Sequence, residues 1–176
     1  MSLTQFITGL MSVFFIQTGL SQPPYEILKS CIDGKPLNSN ITLSPLSGGG
    51  FTSTTEKDCD ERYNINFENQ KFSYISCNDK DYLIISGKKL LLDTSVNMSI
   101  NPEIKPEILY PHLSSWMKLD YESQSYLCIA GPLSQSGSGA NTPQYMIIEN
   151  AFNKMDPVGY YYFFDKDIVP ITSKNL

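Results

Sequence analysis

The chain has 176 residues, of which 41% are apolar and 18% are charged, and its net charge at neutral pH is −5. This length and apolar content predict a single folded domain and exclude an intrinsically disordered chain. The acidic balance excludes the basic surface stripe that is typical of a nucleic-acid-binding protein. The whole sequence contains one histidine, which excludes His-rich metal sites as well.

The N-terminal segment has the pattern of a secretory signal peptide. Its apolar centre, Leu10–Ile16, is far shorter than the roughly 20 apolar residues that a membrane-spanning helix needs. The small residue Ser21 fits the position before a cleavage site. We therefore expect residues 1–21 to be removed and residues 22–176 to form one exported domain without a transmembrane segment. A buried N-terminal helix or strand is the alternative.

Two further patterns are typical of an exported protein. Asn40 and Asn97 each begin an Asn-x-Ser/Thr sequon, the acceptor sequence for N-linked glycosylation. An even number of cysteines in an exported chain predicts disulfide bonds, and the possible pairings stay open. The cysteines are Cys31, Cys59, Cys77 and Cys128. In a cytosolic protein the same residues would be buried thiols.

Short runs rich in Tyr, Phe, Ile and Val alternate with turn-forming residues along most of the chain, and helical periodicity is scarce after residue 22. In Phe72–Cys77, Phe72 and Tyr74 fall on one face of a half-buried strand. The predicted strands are 41–43, 63–67, 72–77, 82–86, 89–93, 96–100, 125–130, 145–149 and 160–164. This series predicts an all-β antiparallel sandwich of the immunoglobulin-like or cadherin-like Greek-key type, with little helix.

Several segments are predicted to connect these strands. Ser47–Gly50 and the polar stretch Ser134–Pro143 are rich in Gly and Ser, which predicts turns or exposed loops. Pro102–Pro111 is rich in proline, which cannot donate a hydrogen bond within a central strand, so a connection or an edge is expected. Leu113–Met117 is expected to be helical or irregular.

The sequence carries no catalytic constellation that stands out. His112 would need a nucleophile to act as a catalytic base, and the sequence contains no Gly-x-Ser-x-Gly nucleophile motif. Ser47–Gly50 is not followed by the Gly-Lys-Ser/Thr of a phosphate-binding loop. Asp120 and Glu122 are candidates for a glycosidase pair, but their spacing along one strand is too close for the inverting geometry. We expect a structural or solvent-facing His112, a core position for Trp116 and no enzymatic activity.

Acidic residues recur at predicted turns. Asp79 and Asp81 are two residues apart, Asp120 and Glu122 repeat this spacing, and Asp156 precedes a proline. Calcium prefers about six to eight oxygen ligands, largely from carboxylates and carbonyls. Loops at one end of a sandwich would supply such ligands. Solvated turns are the alternative interpretation, because Asp is common in turns.

At these residues the chain resembles an extracellular cadherin repeat, over roughly residues 62–164. Leu119–Glu122 is similar to that family's Leu-Asp-Arg/Tyr-Glu motif, and Ser125–Ala130 is similar to the strand that follows it. The stretches that stand in place of the family's Asp-x-Asp, closing strand and acidic linker are Asn78–Asp81, Tyr145–Glu149 and Asn153–Pro157. The resemblance implies a calcium-binding sandwich, with ligands from Asp79, Asp81, Asp120, Glu122 and Asp156.

A second, shorter resemblance lies near the N-terminus. Asp33–Leu37, leading into Ile41–Leu43, is similar to the first strand pair of transthyretin-like domains. This resemblance implies the same class of protein, a small exported β-sandwich.

Together, these patterns favour a secreted, non-enzymatic binding or adhesion module that is assisted by calcium. Its abundant tyrosines suit an interface, and its expected partner is an extracellular protein or a glycan rather than a nucleic acid. The alternative is a secreted carrier that holds a small apolar ligand in a β-barrel or a transthyretin-like sandwich, because aromatic residues suit an apolar pocket.

Overall fold

The computed structural model describes residues 22–99, 105–106 and 110–163. The predicted signal peptide and most of the proline-rich segment lie outside these residues. The helix is α1 (Tyr25–Asp33). The strands are β1 (Ile41–Pro45), β2 (Ser47–Thr52), β3 (Arg62–Phe67), β4 (Gln70–Cys77), β5 (Lys80–Ile85), β6 (Lys88–Leu91), β7 (Val96–Asn97), β8 (Ser115–Tyr121), β9 (Gln124–Pro132), β10 (Pro143–Glu149) and β11 (Val158–Phe163).

These strands form two sheets that pack against each other. The order is β1-β8-β9-β10-β11-β7 in the six-stranded sheet and β2-β3-β4-β5-β6 in the five-stranded sheet. Short hairpins set this order. Asn78 and Asp79 join β4 to β5 with positive φ, and Ser86 and Gly87 do the same between β5 and β6. Such two-residue turns match the twist of antiparallel strands, so each strand pairs with the next.

The predicted all-β antiparallel sandwich is confirmed, and its strand order differs from the predicted Greek key. Strands β2 to β6 follow one another across one sheet, and β8 to β11 follow one another across the other. The strand that returns to the far edge, β7, runs parallel to β11, whereas the strands of a Greek key are antiparallel. Neighbouring strands in sequence pair first when their connections are short, and this favours two meanders.

The chain closes both sides of the sandwich by passing from one sheet to the other. After Pro45 it leaves β8, and β2 pairs with β3 instead. At this crossing the Leu46 N–H donates to the Trp116 carbonyl at 2.8 Å. On the opposite side, a 3₁₀ turn at Leu92–Thr94 leads from β6 to β7. Strands β1 and β2 therefore lie at edges of different sheets.

The six-stranded sheet buries side chains on both faces. Trp116 and Leu127 belong to the core between the sheets, whereas their neighbours Met117 and Cys128 belong to the core beneath α1. This alternation follows from the pleat of the strands. The predicted core position of Trp116 is confirmed, since the side chain is buried and its Nε1–H donates to the Pro111 carbonyl at 3.0 Å.

Helix α1 was not predicted from the sequence. It begins after Pro24, whose carbonyl accepts the Ile27 and Leu28 N–H groups, and it ends at Gly34 in the left-handed conformation, with φ 62°. The buried face contains Ile27, Leu28 and Cys31. A helix of nine residues offers too few turns for a clear periodic signal and depends on tertiary packing. No helix within the described residues has the length and apolar character needed to cross a bilayer.

Two disulfides cross-link the fold and select one of the possible pairings. Cys31–Cys128 joins α1 to β9, with a Cα–Cα distance of 5.8 Å. Cys59–Cys77 joins the segment before β3 to the end of β4, with a Cα–Cα distance of 4.0 Å. The first disulfide holds the helix on the outer face of the sheet, and the second lies within the five-stranded layer.

Two strands lie where the sequence predicted other structure. Ser47–Gly50, predicted as a turn, belongs to β2, and most of Leu113–Met117, expected to be helical or irregular, belongs to β8. Glycine has low strand propensity, so the pairing of β2 with β3 is not encoded locally. Trp116 and Met117 face opposite sides of a sheet that is buried on both, and this hides the alternation of β8.

Candidate binding surfaces

The acidic residues predicted to bind calcium are divided between the two sheets. Asp79 lies exposed in the β4–β5 hairpin, and Asp81 lies at the start of β5 opposite Ser76. Asp120 and Glu122 belong to the β8–β9 hairpin of the other sheet, where Glu122 takes a positive φ of 54° at an exposed turn.

Two of these carboxylates already have cationic partners. Asp120 accepts a hydrogen bond from Ser125 Oγ and pairs with Lys118 at 2.9 Å. Asp156 pairs with Lys88 at 2.7 Å, and this hydrogen bond lowers the pKa of the Asp156 carboxyl. These contacts favour the interpretation that the acids are paired with lysines or solvated, rather than bound together to one calcium ion.

The geometry of metal-ligating groups agrees with this interpretation. Among the described residues, one set of three such side chains has its ligand atoms within 4.8 Å of one another, namely Glu56, Cys59 and Cys77. Two of its members form a disulfide and are not available as thiolate ligands. The predicted calcium ligands form no such set in the described part of the chain. The calcium site predicted from the sequence is not tested by this geometry, and the ion pairs of Asp120 and Asp156 weigh against it.

The two sequons differ in their surroundings. Asn40 is exposed in the loop before β1. Asn97 lies half-buried within β7, opposite Tyr161, and its side-chain oxygen accepts the Ser99 N–H at 3.0 Å. In the folded chain Asn40 is therefore more exposed to solvent than Asn97.

His112 belongs to an aromatic cluster at one corner of the sandwich. Its ring centroid lies 5.5 Å from that of Phe51, 6.4 Å from that of Tyr63 and 6.4 Å from that of Tyr110. Phe51 and Tyr63 are direct cross-strand partners on β2 and β3, with ring centroids 5.0 Å apart. We call these four residues the aromatic corner. Phe51 is 50% exposed, so the corner presents an apolar surface to solvent.

Strand β2 carries this corner at the edge of the five-stranded sheet. All six of its residues are exposed, and within the described part of the chain it pairs with β3 alone. An added Cβ at Gly48 would meet the Tyr63 hydroxyl, so a larger residue there requires the tyrosine side chain to shift. The opposite edge, β6, carries Lys88 and Lys89, which is how natural edge strands discourage further pairing. Strand β2 has no charged residue.

A polar cleft of about 330 Å³ opens at the end of the six-stranded sheet. One wall comes from the β8–β9 turn and the start of β9, and the other from the end of β10 and the loop after it. The lining residues are Ser123, Gln124, Ser125, Tyr126, Glu149, Asn150, Phe152, Asn153 and Met155. Among them, Glu149 is the one that carries a charge at neutral pH.

Glu149 sits in this cleft on a strand that is paired on both sides. It lies opposite Tyr126 of β9 and Val158 of β11. Burial raises the pKa of the Glu149 carboxyl, and a hydrogen bond with the Tyr160 hydroxyl offsets part of this rise. Burial, together with the charge of Glu149, raises the pKa of Tyr126 to about 12, so that this hydroxyl stays protonated. The Tyr126 hydroxyl donates to Gln124 Oε1.

Glu149 is not among the site residues predicted from the sequence. A signal was present, because Glu149 ends the buried run Tyr145–Ile148, where a carboxylate is costly unless it is solvated or bound. The sequence does not show that Tyr126 and Tyr160 flank it, since both lie on other strands. Six of the eleven tyrosines that the sequence assigned to an interface are buried, and some of these, among them Tyr126, Tyr160 and Tyr162, belong to the core beneath α1.

Comparison of the chain with models of protein families, with curated proteins and with solved structures gives no significant match. The resemblances to cadherin repeats and to transthyretin-like domains therefore remain expectations from short motifs.

Proposed function

We propose that this protein is an exported, non-enzymatic binding module that takes up an extended segment of an extracellular protein along β2. The observation that carries the proposal is the uncharged, exposed edge of β2 beside the aromatic corner. An edge strand offers a row of backbone donors and acceptors, and an incoming strand can satisfy them by extending the sheet.

The aromatic corner supplies the second part of such an interface. Backbone pairing alone is insensitive to sequence, whereas a pocket for alternate side chains gives specificity. Phe51 and His112 lie at the end of β2 with their rings 5.5 Å apart, where they would contact an apolar side chain of the incoming segment. Exposed aromatic residues are the usual anchors of protein interfaces.

The disulfides and the exposed sequon Asn40 support export, which is the other half of the proposal. The carrier alternative is less favoured by the structure, because the space between the sheets is filled by buried side chains such as Ile65, Phe72 and Leu127.

Export is tested by expressing all 176 residues in a secreting eukaryotic host. We expect a secreted product that begins at Gln22, contains both disulfides and carries a glycan that Asn40→Gln removes. Mass spectrometry reads all three features. An intact N-terminus on a chain that stays inside the cell would contradict export.

The edge is tested with a phage-displayed library of random linear peptides selected on the secreted protein. We expect the selected peptides to alternate apolar residues and to lose at least about tenfold in affinity against Phe51→Lys, since interface anchors contribute about 2 kcal/mol or more. Leu37→Lys is the matched control, because Leu37 is also an exposed apolar residue, 41% accessible, and lies in the loop after α1. Peptides that bind both variants equally would contradict an interface at β2.

A further inference from the structure

We propose that the cleft beside Glu149 binds a cationic amine group, an alkylammonium or a guanidinium, through the Glu149 carboxylate. The site is distinct from β2, since it is formed by the β8–β9 turn and the loop after β10.

The first support is the lack of a cation for this carboxylate. Asp33, Glu56, Asp120 and Asp156 each form an ion pair with a lysine or an arginine, whereas most of the other described acids without such a partner, among them Glu68 and Asp79, are exposed. Within the described residues, no basic nitrogen lies within the 4.0 Å of an ion pair from Glu149. A half-buried carboxylate with a hydroxyl as its hydrogen-bond partner gains more from an incoming cation than an exposed one does, because water screens it less.

The second support is the loop that forms one wall of the cleft, residues 150–157. On its other side, Lys88 Nζ donates to the Lys154 carbonyl at 3.0 Å, to the Met155 carbonyl at 3.3 Å and to Asp156 Oδ1 at 2.7 Å. That groove, about 490 Å³, shares Asn150, Phe152, Asn153 and Met155 with the cleft. The loop thus separates two sites. The groove on one side contains the ammonium group of Lys88, and the cleft on the other side contains the Glu149 carboxylate without a cation.

The third support is that the loop is held in place by its own hydrogen bonds. Asn153 Nδ2 donates to Asn150 Oδ1 at 3.1 Å, and Asn150 Nδ2 donates to the Asp156 carbonyl at 3.1 Å. A preformed wall lowers the entropy cost of binding a small group. Phe152 and Met155 supply apolar surface for the methylene stem that joins an amine to the rest of its molecule.

The experiment titrates isotope-labelled protein with n-butylammonium, with n-butylguanidinium and with neutral n-butanol at constant ionic strength, and follows backbone amide shifts. We expect saturable shifts at Gln124, Glu149 and Asn153 with both cations. Binding of n-butanol should be at least about tenfold weaker, since hydrogen bonds to charged groups contribute about 1.5–3 kcal/mol. Equal binding of the cations and the alcohol overturns the proposal without any variant.

Two variants sharpen the result. Glu149→Gln should weaken cation binding at least about tenfold. Glu68→Gln, which removes the same charge from the exposed β3–β4 turn, should leave it unchanged. Cation binding that survives in Glu149→Gln, or that falls equally in both variants, overturns the assignment to this carboxylate.

The source of the amine is resolved with spermidine and with an acetylated and amidated Ala-Lys-Ala peptide. Tighter binding of spermidine identifies a free polyamine, and tighter binding of the peptide identifies a lysine side chain of a protein. If spermidine, the peptide and n-butylammonium all fail to shift the amide signals of the cleft, the proposed site is overturned. Because this cleft is separate from β2, its failure leaves the binding of extended segments untouched.

Discussion

The disulfide between Cys31 and Cys128 fastens the last turn of α1 to β9 across a sequence separation of 97 residues. The second disulfide, Cys59–Cys77, spans 18 residues. Both half-cystines of the first bond are buried, Cys31 on the inner face of the helix and Cys128 beneath it, in the core that also contains Leu28. The longer loop constrains the unfolded chain more, and this difference makes the two bonds unequal in their contribution to stability.

We expect Cys31→Ala with Cys128→Ala to lower the free energy of unfolding more than Cys59→Ala with Cys77→Ala does. The chain-entropy relation gives a loss of about 4.7 kcal/mol for a closed loop of about 100 residues and about 3.2 kcal/mol for one of about 20. Urea unfolding of the two double variants compares them directly, each serving as the control for the other. A greater loss in the Cys59/Cys77 variant would contradict the entropic account.

Glu149 gives a stability prediction that is independent of any ligand. Burial raises the pKa of its carboxyl in the folded state. Between the unfolded and folded pKa values the folded state therefore binds more protons, and the free energy of unfolding falls as pH rises through that window. Neighbouring groups do not reverse this sign, because raised pKa values keep the hydroxyls of Tyr126, Tyr160 and Tyr162 protonated at neutral pH.

We accordingly expect Glu149→Gln to raise the melting temperature at pH 7 and to lose this gain by pH 4, where the wild-type carboxyl is protonated as well. For a domain of this size 1 kcal/mol corresponds to about 2–4 °C, and we expect a gain below that, since the carboxyl is partly solvated. Glu68→Gln, at an exposed turn, is the control. A lower melting temperature for Glu149→Gln at pH 7 would count against a desolvated carboxylate.

The third prediction concerns calcium, because the acids that the sequence predicted to bind one calcium ion are divided between the two sheets. We expect no change in melting temperature between millimolar calcium and a chelator. The reason is that Asp120 and Asp156 are paired with Lys118 and Lys88. A ligand present at about 100 times its dissociation constant would add roughly 2.7 kcal/mol, which shifts the midpoint by several degrees. A rise of that size would restore the calcium-assisted interpretation.

The sequence by itself determined the parts of the fold that are local. Hairpin residues such as Asn78 and Asp79, between runs of β-branched and aromatic residues, mark tight turns wherever they occur, so the predicted strands reappear with shifted ends. Cysteine count and sequons likewise do not depend on what lies nearby in space. The core position of Trp116 was also predictable from the sequence, because large aromatic side chains are mostly buried in folded domains.

Tertiary structure alone decided the features that carry the functional proposals. Most of β2 is Ser and Gly, which have low strand propensity, and this strand is stabilised by its pairing with β3. Helix α1 is too short to be stable alone and forms against β8, β9 and β10. The cleft of Glu149 is built from the β8–β9 turn, the strands β9 and β10 and the loop after β10, and Tyr160 on β11 forms a hydrogen bond with its carboxyl. These are contacts between residues far apart in sequence, and local patterns hold no information about them.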